Sequence, residues 1–274
     1  MPLAWTTRVL SAVIRHTINK RKPLPSRALF HPVISQTYTS LLETDYNLHK
    51  SNSTYFSDLD VSRGHCVMHL FQPGIEAVND NAKTRLVLGK DDRVPEGRIS
   101  IILGSVFCSF KKEIAPYQAY EMWTRVLAWD RKWLYMLTYF VVKGKVRPTA
   151  WDSMQCRDTR QKGEHTDFEQ YIIATAVSKY VFKLGRLTVN PSIIIEASGL
   201  LPERPGEGWR GGPQGTGAPD ELDGINADSD WDWKRVEWER RKGMVFAEQF
   251  AALDAGSTMF DGGEDGALGR FSIG

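Results

Sequence analysis

Residues 1–42 contain no aspartate or glutamate, although they carry six bases: Arg8, Arg15, Lys20, Arg21, Lys22 and Arg27. Charge of one sign at one end implies a solvated collar or contact with an anionic surface. Cysteine is scarce as well: Cys66, Cys108 and Cys156 are widely spaced, with no CxxC pair and no accompanying His cluster. That argues against a disulfide framework or a zinc site and fits a reducing compartment. No apolar run approaches the roughly 20 residues of a membrane span; the best, Pro2 to Ile18, is interrupted by Arg8 and Arg15. The GxSxG tract of α/β-hydrolase nucleophile elbows is missing, which argues against a serine thioesterase or lipase of that type.

Against these absences stands a chain of 274 residues, 42% apolar and 11% aromatic, long enough to bury a full-sized core. Its net charge of +2 hides an uneven distribution, because from Glu203 onward fifteen acids face eight bases, a net of −7. Within residues 1–34, Trp5, Val9, Leu10, Val13, Ile14 and Ile18 recur at helical spacing with Arg8 and Arg15 on the other side. Three readings stay open: a membrane-surface anchor, an organelle presequence, or a terminal helix docked on its own domain. The sequon Asn52-Ser53-Thr54 has no secretory signal to give it meaning.

The middle of the chain is strand-like. Ile99–Phe110, Tyr120–Trp129 and Trp133–Val142 are joined by short links at Ala115–Gln118 and Asp130–Lys132, which predicts an antiparallel meander. Tyr171–Phe182 is a fourth run, preceded by a polar excursion from Lys143 to Glu169. Ahead of them, Val67, Leu70, Phe71, Ile75 and Val78 share one helical face, with a kink expected at Pro73-Gly74. A single helix lying across one long antiparallel sheet buries both apolar faces. The expected organisation is a basic amphipathic segment (1–34), a main domain (35–202), a Gly/Pro-rich linker (203–230), a helix (231–254) and a disordered tail (255–274).

Few short motifs survive scrutiny. Gly206 to Gly211 matches GxGxxG but sits in the linker, where a dinucleotide loop needs a strand before it and a helix after it. Asn19-Lys20-Arg21-Lys22 lacks interleaved aromatics, so nucleic acid is not the expected partner. Cys66 has His65 beside it and His69 one turn on, but a free cysteine is more often a small buried apolar residue. TYFSDLDVSRGH, residues 54–65, sets Asp58 and Asp60 one residue apart at the end of a β-like run. A helix starting at Arg63 or Gly64 would turn free N–H groups toward those carboxylates, as activation of a carbonyl requires. Its bland alternative is a helix cap or a turn.

The order of TYFSDLDVSRGH, a helix, and LGSVFCSFKKEIAPYQAYEMWTRVLAWDRKWLYMLTYFV resembles the hotdog-fold thioesterases of the 4-hydroxybenzoyl-CoA thioesterase type. It is more similar still to fungal thioesterase-like proteins related to the animal thioesterase superfamily member 6. The resemblance spans roughly residues 35–202. It implies an α+β hotdog fold, a long antiparallel sheet wrapped around a central helix, paired edge to edge in a homodimer. It also implies Asp60 as nucleophile or general base, Asp58 in support, Gly64 as oxyanion donor and His65 as an orienting group. Relatives continue with Gly-His-x-Asn-Asn, whereas this chain reads Gly64-His65-Cys66-Val67-Met68, with His65 one residue further from the acids than usual.

The resulting expectation is an acyl thioesterase acting on an acyl-CoA or acyl-carrier-protein thioester in secondary-metabolite or lipid metabolism. No metal or redox cofactor is implied. Lys111, Lys112, Arg131 and Lys132 are candidates to meet the phosphates of CoA. The rival is a non-catalytic hotdog protein that binds acyl groups or serves as a structural dimer. A cytoplasmic location is expected, with membrane or mitochondrial association through the N-terminal helix as the alternatives.

Overall fold

A computed structural model describes residues 3–19, 21–148, 168–206, 208–210, 222, 224–226 and 229–260. Its sheet is built from β1 (Val33–Tyr38), β2 (Ile99–Phe110), β3 (Ala119–Trp129), β4 (Trp133–Val142), β5 (Ile172–Leu184) and β6 (Leu187–Val189). All pairings are antiparallel and the order is β1-β3-β4-β5-β2, with β6 paired to β5. The four long runs fall where alternation predicts them, but the expected meander is corrected: β3, β4 and β5 form it, and β2 lies beyond β5 as an edge. The reason is the link from Lys111 to Gln118, which makes no hairpin. Its Ile114 is buried, the Ile114 carbonyl accepts from Lys50 N–H at 2.8 Å, and Tyr117 N–H donates to the Thr39 carbonyl at 2.8 Å. Those bonds carry the chain to the β1 side. By contrast Asp130–Lys132 is a tight turn, its Asp130 carboxylate accepting from the N–H groups of Lys132 and Trp133 at 2.7 Å each.

The sheet curls around α2 (Asn52–Asn79), a helix of 28 residues. Here the second correction arises, because TYFSDLDV is helix and not strand. Tyr55, Leu59, Ser62, Cys66 and Leu70 recur every three or four residues and are all buried. That period fits only a helix face pressed on the sheet. Leu59 and Phe71 are fully buried, so truncating either to alanine is expected to cost about 2–5 kcal/mol. A row of hydroxyls fixes the helix on the sheet: Ser62 lies 2.9 Å from Ser35 of β1 and 2.8 Å from Thr124 of β3, which lies 2.8 Å from Thr138 of β4.

Pro73 lies inside α2 because the backbone groups around it find partners elsewhere. Gly74 N–H donates to Ser198 Oγ at 3.1 Å, and the Leu70 carbonyl accepts from Arg21 at 2.9 Å. A Cβ on Gly74 would stand 2.1 Å from the Ile194 carbonyl, so glycine is required for that approach. The short α3 (Asn81–Thr84) follows, and α4 (Pro191–Ala197), begun by an Asn190 cap and Pro191, packs on the second half of α2.

Helices at each end complete the structure: α1 (Ala4–Ile18) on α2, and α5 (Trp233–Ala252) on the outer face of β3. No helix among the described residues is long and apolar enough to cross a membrane. The linker expectation changes in part, since Trp209 is buried beside Trp129 with its N–H on the Pro202 carbonyl at 2.8 Å. That anchoring also leaves the GxGxxG tract without a nucleotide-loop setting. A 3-10 helix, Leu253–Met259, follows α5 and carries regular structure across the expected boundary at 254 into the first five residues of the stretch expected to be disordered. Most of the polar excursion, most of the linker, Cys156 and residues 261–274 lie outside the described residues.

Candidate functional site

Asp58 and Asp60 point away from each other because residues two apart on a helix are turned by about 200°. Asp58 is buried and accepts from Arg8 at 2.7 Å, Lys50 at 2.9 Å and the Tyr120 hydroxyl. Asp60 is partly exposed; it pairs with the buried Arg63 and accepts from Trp5 Nε1 at 3.1 Å. Arg63 also donates to Ser178 Oγ at 2.6 Å and lies over the Tyr180 ring. Each aspartate thus balances buried bases that would be costly to leave unpaired. The expected helix start at Arg63-Gly64 is corrected by about twelve residues, and with it the oxyanion role of Gly64. In mid-helix its N–H belongs to the backbone ladder. A Cβ on Gly64 would stand 4.0 Å from the Ala12 methyl of α1, an ordinary contact distance, so the packing of α1 does not require glycine there.

His65 does not face either aspartate. Its Nδ1 lies 3.1 Å from His16 Nε2, and the His16 ring also packs edge-on against His69. Burial, then the neighbouring charges of His16, Arg15 and His69, holds His65 below its ordinary value. Cys66 is wholly buried, which pushes its thiol up to about 12 and leaves the bland reading as the one the surroundings support.

The arrangement sought at Asp60 occurs earlier in the chain. Helix α2 starts at Asn52 after Ser51, no side chain caps it, and Asn52 and Ser53 are exposed. Thr54 N–H donates to the Ser51 carbonyl at 3.0 Å, while the N–H groups of Asn52 and Ser53 and the positive end of the dipole lie at this exposed start. Immediately before it, Glu43 to Lys50 forms a closed loop. Asp45 N–H donates to the His49 carbonyl at 2.9 Å, Leu48 N–H to the Asp45 carbonyl at 3.0 Å, and Asn47 N–H to Asp45 Oδ1 at 2.9 Å. Leu48 closes the turn at φ 59°, a left-handed conformation in which glycine is the unstrained residue. His49 Nε2 lies 3.0 Å from Glu113.

Beneath this loop, Lys50 is fully buried. Its ammonium reaches Glu43 at 3.3 Å and Asp58 at 2.9 Å, and sits 5.5 and 5.6 Å from the Tyr55 and Tyr120 ring centres. Ser40 and Glu43 cap each other reciprocally one step upstream. The loop therefore rests on a buried, paired network rather than on solvent.

Ahead of the observed helix start the chain reads Glu43-Thr44-Asp45, Leu48-His49 and Ser51-Asn52. His49 follows Asp45 by four residues, whereas His65 follows Asp60 by five. Leu48, next to His49, holds the left-handed backbone that glycine adopts without strain. Asp45, His49 and Ser51-Asn52 were missed by sequence reasoning. The available signals were a Ser-Asn pair suited to opening a helix and Asp45/Asn47 suited to a turn.

The four candidate phosphate-binding bases do not form one patch. Lys111 and Lys112 follow Phe110, which pairs with Ala174, whereas Arg131 and Lys132 precede Trp133, which pairs with Val181. Seven residues of β5, roughly 23 Å, separate the two pairs. Only Lys111 and Lys112 lie at the end of the sheet that holds Glu113 and His49, where Lys111 meets Glu169 at 2.6 Å and Lys112 the Gln170 carbonyl.

A family model described as Thioesterase-like superfamily matches residues 40–183, from the Ser40 cap through the loop and α2 into β5. Thioesterase poxG of Penicillium oxalicum is 36% identical over 282 residues, covering 99% of this chain and 86% of its own. Probable thioesterase atnL of Emericella nidulans is 32% identical over 286 residues, covering 99% and 87%. Among solved structures, YbaW Probable Thioesterase from Escherichia coli aligns over 61% of this chain and 96% of its own, with a TM-score of 0.41 and 8% identity. A match over more than half the chain, relatives above 30% identity over nearly all of it, and a curled antiparallel sheet around one long helix agree: the chain belongs to the thioesterase-like superfamily, with the hotdog fold.

Proposed function

We propose that the protein is an acyl thioesterase that hydrolyses an acyl-CoA or acyl-carrier-protein thioester at the N-terminus of α2. The observation that carries this reading is the uncapped helix start at Asn52 directly behind the Asp45–His49 loop. Developing negative charge on a thioester carbonyl oxygen is stabilised by N–H donors fixed in place before reaction. Asp45 either takes a proton from a water that attacks the carbonyl carbon, or attacks that carbon itself to form a mixed anhydride that water then hydrolyses. In both routes the C–S bond breaks, the acyl group leaves as the free acid, and the thiol departs with a proton supplied by that water. His49, held by Glu113, orients the loop, and Lys111 and Lys112 are placed to meet an anionic carrier. Asp60 keeps its charge-balancing place beside Arg63. Relatives named thioesterases support the reaction class, and their fungal sources support a role in secondary-metabolite or lipid chemistry.

An edge-to-edge homodimer through β2 belongs to the same reading. Among the described strands β2 pairs only with β5, and its Ile102, Leu103 and Phe107 are partly exposed along a 12-residue edge. An uncovered edge of that length invites pairing with another strand. The test is release of free thiol from a panel of acyl-CoAs by wild type, Asp45→Asn and Asp60→Asn. The expected result is loss of about a hundredfold or more in kcat for Asp45→Asn and near wild-type turnover for Asp60→Asn, after correction for folded protein. Equal rates for wild type and Asp45→Asn would remove Asp45 from the chemistry. No turnover of any acyl-CoA or acyl-carrier protein would favour the non-catalytic acyl-binding protein.

A further inference from the structure

Helix α1 docks by its polar side. Trp5, Arg8 and His16, three to eight residues apart around the buried Ala12, make the bonds to Asp60, Asp58 and His65 of α2. The opposite side carries Leu3, Leu10, Ile14 and Ile18, spaced by seven, four and four and therefore in line along the helix; they are 72, 52, 54 and 73% exposed. An apolar stripe turned outward from a folded domain costs solubility unless something covers it.

We propose that this outer face of α1 docks on an anionic lipid surface, with the helix lying in the plane of the interface. The first argument is charge. Neither α1 nor any residue before Glu43 is acidic, and the exposed Lys22 follows the end of the stripe at Ile18, while Arg15 lies on the docked side near His16 and His65. An acid-free apolar stripe with a base beyond its end is a pattern that anionic headgroups attract. The second argument is size. Fifteen residues span about 22 Å, and the stripe is one side chain wide, so the helix is suited to shallow insertion and does not meet the length and hydropathy of a membrane span. The third is the choice of occupant. A second copy would bring two acid-free, basic helices together, which is repulsive. Helix α5 also exposes Val245 and Phe246, but beside Glu248 and within the net-negative part of the chain, so it lacks the same complementarity.

This inference stands apart from the thioesterase reading and is tested without turnover. Full-length protein is sedimented with large vesicles of phosphatidylcholine, with and without phosphatidylserine. Wild type is expected to sediment with the phosphatidylserine vesicles only. The Leu10→Glu/Ile14→Glu double variant is expected to lose about tenfold or more in binding, and Lys22→Glu to fall between the two. These side chains are exposed, so an unchanged melting temperature is expected and separates loss of binding from loss of fold. Absence of wild-type sedimentation, or equal sedimentation of the double variant, would overturn the proposal. So would a solution mass that falls from dimer to monomer in the lipid-free double variant, because that would assign the face to a second copy.

Discussion

The two terminal helices attach to the same domain by opposite means. Helix α5 buries Met244, Ala247 and Phe250 against the outer face of the sheet and Val236 in the core cluster with Phe30, Trp129 and Trp209, and its buried Glu237 is met by Arg240, Arg241 and Arg204 at 2.8, 2.7 and 3.5 Å. Helix α1 buries only Ala12 and is held by hydrogen bonds and ion pairs, with its apolar side outward. Both read as amphipathic in the sequence. An apolar stripe thus says that a helix has something to cover, and only the fold says whether the domain itself covers it.

Glu237→Ala is expected to give the largest effect, about 3–5 kcal/mol of lost stability in denaturant unfolding, because it leaves buried guanidinium groups without their anion. Burial alone would raise the Glu237 carboxyl, yet the hydrogen bonds and charges of Arg240, Arg241 and Arg204 bring it below its ordinary value. A loss under about 1 kcal/mol would mean that α5 is held mainly by its apolar contacts. Next comes Gly243→Ala, where a Cβ would stand 1.9 Å from the Leu127 carbonyl oxygen. Forcing α5 off the sheet there is expected to cost about 1–3 kcal/mol, read as a lower melting temperature.

The smallest expected effect concerns pH, and it separates the two helices. His16, His65 and His69 all lie below their ordinary 6.5, chiefly through burial and then through one another, Arg15 and Arg21. Depressed values mean that the docked state binds protons less readily than the undocked one. The docking of α1 is therefore complete above pH 6.5 and weakens as pH falls from there through the lowered values. Asp58 and Asp60 of α2 are engaged by Arg8, Lys50 and Arg63 and are not among the groups that shift these rings. Hydrogen exchange at falling pH, corrected for its intrinsic pH dependence, should show α1 amides losing protection before α5 amides. Simultaneous loss would mean that the histidine cluster does not govern α1.

Much of the architecture was legible in the chain. The four long strands were readable because each is a run rich in β-branched and aromatic residues bounded by polar segments, as at Asp130–Lys132, although burial alternates clearly only in the first part of β3. Their order was not, because the course of Lys111–Gln118 is set by bonds to Lys50 and Thr39, which no local pattern reveals. The site expected at Asp60 and the site proposed at the start of α2 differ for a definable reason. Asp58, Asp60, Gly64 and His65 carry the residue types that the resemblance implies but lie inside α2, whereas the proposed site takes Asp45 and His49 from the loop ahead of it. Residue types are legible in a chain, and position on a helix much less so. The first half of α2 was missed because its polar Ser57, Asp58, Asp60 and Arg63 interrupt the apolar period, and three of these are ionic partners that tertiary contacts supply.

Helix α5 has a consequence for how copies of this chain can be put together. It lies over the middle of the outer sheet face, reaching from Leu127 and Tyr135 to Val177, with Lys179 tied to Asp254 beyond its end. A neighbour cannot stack its sheet flat on that area without first displacing a buried helix. Among the described strands β2 pairs only with β5, so a partner sheet would have to add sideways, by continuing the sheet, and not to its thickness.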